Sequence, residues 1–345
     1  MTNPTAPLPI IPAPVADIPA APVGRRRTLG IAMALASALA FSSSGPLVKP
    51  LLEDGWSLGA ALLVRIGTAA LVLSPFLVRA VLREKRFLQR HGGALVAFGV
   101  MPVVGCQLFY FSAMQRMPVA VALLIQYLAP VMLVIWVWAR TRRRPSHTVL
   151  AGSVVAMVGL VLVVDIVGAR FDFWGTLLAL GAAVCTCVYF VMAERTGDTL
   201  PPLVLAAGGM VVATVCIALL LLTGILPFSA GPDPAAVLGI PLPPLIVLLW
   251  VGATTGLAYA LGVCAVPRTG SRLASFLGLS EVLFALAFAW LLLAETPAGV
   301  QFVGGALILT GVVLVRLDAD RGSRVRTRRV PAAAAASPAA GSPRP

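Results

Sequence analysis

The chain repeats itself at long range, and the repeated unit is a pair of apolar segments. The stretch from Cys264 to Arg316 restates the stretch from Ser112 to Val163, so that Leu128 falls on Leu279 at a shift of 151 positions. Each apolar segment is about 20 residues long, the length that crosses roughly 30 Å of hydrocarbon as a helix. Both copies are therefore predicted to be helical hairpins in a membrane.

The composition also indicates a membrane protein. Hydrophobic residues make up 59% of the chain and charged residues 11%, with a mean hydropathy of +0.97, whereas soluble domains carry about 25% charged residues. The net charge of +13 could suggest nucleic acid, but the Arg residues form short clusters between apolar runs. This pattern differs from the basic patch of a nucleic-acid-binding protein, and we expect no nucleic-acid partner.

Ten apolar stretches predict an all-α integral membrane protein with ten transmembrane helices. They cover residues 29–48, 58–78, 93–115, 119–139, 148–168, 173–193, 202–223, 244–266, 273–294 and 298–315. Ala38-Leu39-Ala40 resembles a signal-peptidase site, but the apolar run continues past it, which favours a retained helix.

The stretches divide the chain into two five-helix halves, residues 29–168 and 173–316. Residues 1–28 and 317–345 are rich in Pro, Ala, Arg and Ser, a composition that does not bury a core. We therefore predict a disordered cytoplasmic tail at the N-terminus and a disordered basic cytoplasmic tail at the C-terminus.

The positive charges predict the orientation. With the N-terminus in the cytoplasm, 22 of the 26 Lys and Arg residues fall on the cytoplasmic side, Lys49, Arg116 and Arg170 fall outside, and Arg65 lies within a span. Positively charged loops stay in the cytoplasm, so both termini are predicted there, in a multi-pass protein of the cytoplasmic membrane.

This orientation makes the two halves an inverted repeat. The two copies of the hairpin begin five helices apart, so they cross the membrane in opposite directions. Inverted five-helix halves are an established way to build alternating access, with a binding site near the midplane where the halves meet.

Several segments resemble the EamA family of the drug/metabolite transporter superfamily. They are FSSSGPLVK in the first span, LLVRIGTAALVL in the second, and SEVLFALAFAWLLLAET followed by GGALILTGVVLV in the second copy. The resemblance implies the ten-helix fold of that superfamily, a cavity lined by spans 1, 3, 4, 6, 8 and 9, and export of amino acids or related metabolites. The chain departs from the family where the fourth span ends in RTRRR, whereas Glu295 keeps the usual acid in the second copy.

Charged residues inside the membrane are candidate functional groups, because a charge at mid-bilayer persists only when it faces a partner or water. Glu281, next to Ser280 in the ninth span, could accept a proton or bind a substrate amine, or it could be a structural acid that is neutral or paired with Arg. For Arg65 in the second span, the resemblance implies a position away from the cavity, which favours a structural anchor.

Spans four and one supply further candidates. Gln126, Tyr127 and Pro130 lie within about one turn, where a proline frees a carbonyl that can line a cavity; ordinary helix packing is the alternative. In the first span the SSSGP run, which includes Ser44, predicts a weakened helix before Lys49. Lys49 could reach the outer interface or line the substrate path.

Catalytic and metal-binding patterns are absent from the sequence. His91 and His147 are far apart, and the five cysteines all lie in apolar spans, where they behave as small hydrophobic residues. The sequence has no Walker lysine loop. We expect no catalytic residues, no metal and no cofactor.

A secondary carrier is the first functional prediction, and a channel or an intramembrane enzyme is the alternative. The expected partners are the lipid bilayer and a small-molecule substrate, and the sequence leaves open whether the chain forms a homodimer. Nucleosides, vitamins, sugars and drugs remain alternatives to amino acids as the transported solute.

Overall fold

The computed structural model describes residues 23–117, 119–142, 144–164, 172–196, 200–231, 235–237, 240–293 and 298–328. The two predicted tails fall largely outside this part of the chain. Where they are described, both are helical: α1 (Val23–Ser42) begins before residue 29, and α14 (Gly299–Arg328) continues beyond residue 316. In residues 23–28 and 317–328 the end helices extend past the apolar core into their arginine clusters, and the two disordered tails stay a prediction.

The first half of the chain forms five spans from eight helices and one π-helical segment. In chain order these are α1 and α2 (Ser44–Glu53), α3 (Leu58–Arg83), α4 (Phe87–Phe98) with the π-helical segment Gly99–Gly105 and α5 (Cys106–Met114), α6 (Val119–Gln126) with α7 (Ala129–Thr141), and α8 (His147–Val164).

The second half repeats this order with fewer interruptions. It contains α9 (Phe173–Thr196), α10 (Pro202–Leu222), α11 (Pro244–Thr269), α12 (Ser271–Gly278) with α13 (Ser280–Leu293), and α14. A small antiparallel hairpin, β1 (Ala235–Val237) and β2 (Ile240–Leu242), lies in the connection between α10 and α11.

The described helices confirm the predicted membrane protein. Nine helical stretches are long and apolar enough to cross a membrane, with mean hydropathies between 1.5 and 2.6. Large apolar side chains face outward, among them Leu222 at 83% and Trp250 at 64% exposure. A soluble surface rarely carries so much contiguous apolar area, whereas a lipid-facing surface requires it.

The first span consists of α1 and α2 together, and it is interrupted at Ser43. The hydroxyls of Ser42, Ser43 and Ser44 each donate to the carbonyl three residues earlier, at 2.7 to 2.8 Å. Such back-bonding competes with the helical ladder and bends helices. This interruption of the stretch over residues 29–48 agrees with the weakened helix that the SSSGP run predicts.

The fourth and ninth spans are interrupted at equivalent positions. The turn between α6 and α7 holds Tyr127 and Leu128, and the turn between α12 and α13 is Leu279, the residue that aligns with Leu128 in the sequence repeat. Discontinuous helices at corresponding positions of two halves are typical of transporter binding sites.

The helix contacts have the symmetry of an inverted repeat. The packing of α1 on α11 matches that of α5 on α9, and the packing of α3 on α11 matches that of α10 on the π-helical segment. The pairs α3–α10 and α8–α14 join equivalent spans of the two halves. Exchanging the halves therefore maps the contact pattern onto itself.

The fifth and tenth spans, α8 and α14, meet at four glycines. Gly152 faces Gly311, and Gly159 faces Gly304. A Cβ atom added at Gly159 would lie 2.5 Å from the Gly304 carbonyl oxygen, and one added at Gly304 would lie 2.6 Å from that of Gly159. Small residues allow this close backbone approach between membrane helices. The crossing packs the last span of the first half against the last span of the second half.

Candidate functional site

A cavity of about 830 Å³ lies between the two halves. This volume is within the range of small-molecule sites, roughly 300–1,000 Å³. Spans 1, 3, 4, 6, 8 and 9 line it, as the family resemblance implied, and residues of α3 in the second span also line it. The cavity extends from Leu52 and Leu58, at the end of α2 and the start of α3, into the middle of the bundle.

Apolar side chains of α1, α11 and α12 pack together beside the cavity. Ala34 of α1, Ala265 of α11, and Leu273 and Leu277 of α12 are all buried in one hydrophobic cluster. Ala34 and Ala265 also line the cavity, so the cavity reaches this cluster.

Glu281 lies on the cavity wall in the middle of the ninth span. It belongs to the first turn of α13, directly after the interruption at Leu279. The Tyr127 side chain, from the turn between α6 and α7, lies beside the Glu281 carboxylate and interacts with it. The two interrupted spans thus bring these residues of opposite halves together.

Arg65 also lines the cavity, in contrast to the position away from it that the resemblance implied. Its Nε donates to the Thr255 hydroxyl of α11 at 2.9 Å, and its charge lies within electrostatic range of Glu281. The close packing of α3 on α11 turns this face of α3 inward: a Cβ at Gly252 would meet the Arg65 carbonyl oxygen at 2.8 Å.

Gln126 is held on the cavity wall by one end of its amide. Its Nε2 donates to the Cys106 sulfur at 3.4 Å, and Cys106 lies 3.5 Å from the Thr186 hydroxyl. The other end, Oε1, is buried without a hydrogen-bond partner among the described residues. A buried unpaired acceptor costs free energy, so this oxygen is suited to a ligand donor.

The remaining sequence-predicted residues divide between the wall and the packing behind it. Pro130 and Ser44 line the cavity. Ser280 does not line it; its side chain is 2% exposed, and its hydroxyl has no partner among the described residues. Lys49 lies in α2, but its side chain falls outside the described part of the structure.

Four aromatic residues form a cavity wall that the sequence analysis did not identify. The ring centroids of Phe41 and Tyr259 are 4.9 Å apart, those of Tyr189 and Tyr259 are 6.1 Å apart, and Phe190 packs edge-on against Tyr189. Their spacing in apolar helices carries no pattern of its own. The one available indication was the rarity of tyrosine: the chain has four tyrosines, and Tyr189 and Tyr259 are two of them.

The titratable groups that share the cavity with Glu281 come from five spans. They are Arg65, Cys106, Tyr110, Tyr127, Tyr189 and Tyr259. Among the described residues, no group of three or more His, Cys, Asp or Glu side chains could hold a metal ion. The chemistry available on this wall is hydrogen bonding, aromatic contact and one charge of each sign.

The model of the EamA-like transporter family matches residues 28–165 and 173–317, which is most of the chain in two copies. The chain belongs to this family. The two matched segments agree with the inverted halves of the structure, and the family assignment confirms the resemblance to the drug/metabolite transporter superfamily and the expected fold. The protein is a multi-pass membrane transporter.

Curated relatives of this EamA-like transporter are also transporters. An uncharacterized inner membrane transporter of Salmonella typhimurium, YicL, is 25% identical over 86% of this chain and 97% of its own length. The threonine/homoserine exporter RhtA is 24% identical in Salmonella typhimurium, over 71% of this chain and 76% of its own, and 24% identical in Escherichia coli K12, over 70% and 77%.

A solved crystal structure shares the fold. It matches this transporter with a TM-score of 0.65 and 20% sequence identity, over 86% of this chain and 99% of the solved chain. At this identity the likeness concerns the fold alone.

Proposed function

We propose that this EamA-like transporter is a secondary carrier that exports amino acids or related small metabolites from the cytoplasm by alternating access. The observation that carries the proposal is the cavity between the inverted halves, which is lined by Arg65 and Glu281. A charge of each sign suits a solute that carries both. The RhtA relatives, named as threonine/homoserine exporters, support the same class of solute.

Alternating access follows from the repeat. The two halves have equivalent contacts but differ in detail, since the first span is interrupted where α9 is continuous, and the third contains a π-helical segment where α11 is regular. If each half adopts the conformation that the other half has now, one end of the cavity closes and the other end opens.

The direct test is flux through purified protein in liposomes. Labelled L-threonine or L-homoserine inside the vesicles should leave faster than from protein-free vesicles, and unlabelled solute on the opposite side should drive counterflow. Saturable counterflow requires a carrier, whereas a channel gives non-saturating flux. Absence of flux for both solutes and for other amino acids would contradict the proposed substrate class.

The orientation is tested by labelling a single cysteine. In a variant in which the five native cysteines are replaced, Ser229→Cys should react with an impermeant maleimide in intact cells. Ser229 is exposed, and its hydroxyl donates to the Gly55 carbonyl of the α2–α3 connection at 2.8 Å, so both belong to the end that the positive charges predict to be outside.

Arg83→Cys is the matched control for the labelling experiment. Arg83 is exposed at the far end of α3, on the side predicted to be cytoplasmic, and should react only after lysis. The opposite result for the two positions would reverse the proposed orientation.

A further inference from the structure

Among the residues that the structure describes, the cavity holds one cation and one anion, and these do not form an ion pair with each other. Of the described lining residues, Arg65 and Glu281 are the two with a full charge. No carboxylate among the described residues lies within 4.0 Å of the Arg65 guanidinium, the limit for an ion pair. A charge in a membrane interior is costly unless it has a partner, so each of these groups has room for one.

The protein hydrogen-bonds one of the three side-chain nitrogens of Arg65, among the described residues. Its Nε is fixed on the hydroxyl of Thr255, a residue that is 1% exposed. The described residues make no hydrogen bond to its two terminal nitrogens, Nη1 and Nη2, which are not among the buried unpaired atoms either. These nitrogens therefore open onto the cavity, and the planar pair matches the two oxygens of a carboxylate.

Among the described residues, no cationic group lies within ion-pair distance of Glu281. The carboxylate lies next to the Tyr127 hydroxyl, and Gln126, the residue before Tyr127, also lines the cavity and has a buried Oε1 without a partner in the described part of the chain. An ammonium group has three N–H donors and no acceptor. A carboxylate and an unpaired amide oxygen on one wall are the acceptors that such a group needs.

We propose that Arg65 binds the carboxylate of the transported solute, while Glu281 and Gln126 bind its ammonium group. This inference rests on the proposed function and assigns the ends of the solute to residues. A zwitterion brings each buried charge its opposite and adds no net charge to the cavity. A cation alone leaves Arg65 unpaired, and an anion alone leaves Glu281 unpaired. We therefore expect the transporter to bind singly charged analogues more weakly than the zwitterion.

The test compares three ligands on purified protein by calorimetric titration. L-Threonine carries both charges, L-threonine methyl ester lacks the carboxylate, and N-acetyl-L-threonine lacks the ammonium group. We expect the wild-type protein to bind each blocked analogue about tenfold more weakly or worse, since a hydrogen bond to a charged group is worth at least that factor.

The variants should separate the two ends of the ligand. Arg65→Gln should bind L-threonine and its methyl ester with similar affinity and still reject the N-acetyl compound, and Glu281→Gln should do the reverse. Arg65→Lys keeps the charge without the planar fork and should retain part of the discrimination. Arg79→Gln, an exposed position on the same helix and outside the cavity, should behave as wild type.

The outcomes distinguish this inference from the proposed function. If the wild-type protein transports amino acids but Arg65→Gln and Glu281→Gln weaken all three ligands equally, both residues are structural and the inference fails alone. If the wild-type protein neither binds nor transports any amino acid, the proposed substrate class fails, and the inference fails with it.

Discussion

Glu281→Gln is expected to reduce amino-acid flux by about tenfold to a hundredfold, with the wild-type amount of protein in the membrane. Glutamine keeps the shape of the side chain next to Tyr127 and removes its charge. A hydrogen bond between a charged group and its partner contributes about 1.5–3 kcal/mol, and about 1.4 kcal/mol corresponds to a factor of ten. The measurement is initial flux in liposomes, normalised to reconstituted protein.

The pH dependence of flux should change in the same variant. Only the ionised carboxylate pairs with an ammonium group, so wild-type flux should fall as the pH is lowered and the carboxylate is protonated. Arg65 and Tyr127 face Glu281, with Tyr110, Tyr189, Tyr259 and Cys106 on the surrounding walls. With glutamine at position 281, this titration is lost and the acid limb of the profile should flatten.

Glu84→Gln is the matched control for Glu281→Gln. Glu84 caps the far end of α3 and lies 3.7 Å from Arg90 in an exposed ion pair, a type of pair that contributes little. The flux and the pH profile of the Glu84→Gln variant should equal those of the wild type. If Glu281→Gln keeps wild-type flux and an unchanged pH profile, the carboxylate is a structural acid, and Gln126 and Tyr127 become the next candidates.

Gly159→Ala is expected to destabilise the transporter by about 1–3 kcal/mol, the usual cost of forcing extra volume into a packed interface. The added methyl group would lie 2.5 Å from the Gly304 carbonyl oxygen and 2.7 Å from the Ile308 nitrogen. Both are backbone atoms, so the contact is relieved only by separating α8 from α14. The measurement is the melting temperature of the detergent-solubilised protein.

Gly92→Ala is the control, because it makes the same substitution inside α4 at a position where an added Cβ meets nothing within 4 Å. There the higher helix propensity of alanine should leave the melting temperature unchanged or raise it. Gly304→Ala, on the opposite side of the crossing, should lower it as Gly159→Ala does. Equal melting temperatures for Gly159→Ala and Gly92→Ala would contradict the close crossing.

The sequence was sufficient to predict the number, order and inverted relation of the spans, because a bilayer permits few structures. Backbone polar groups in hydrocarbon must be satisfied within each helix, so apolar stretches of the right length can be assigned directly. The repeat that aligns Leu128 with Leu279 predicted equivalent positions in the two halves, and both interruptions of the helices occur there. Glu281 could be selected for the same reason, as a charge in an apolar span.

Only the tertiary structure decided which faces of these helices point inward. Helices such as α9 and α11 are apolar around almost their whole circumference, so their sequences carry no amphipathic pattern that separates a lipid-facing surface from a cavity wall. The crossing of α3 on α11 turns Arg65 toward Thr255 and the cavity, and the packing of α1, α9 and α11 assembles Phe41, Tyr189 and Tyr259 into one wall. These contacts join residues up to 218 positions apart, and their geometry depends on all the helices at once.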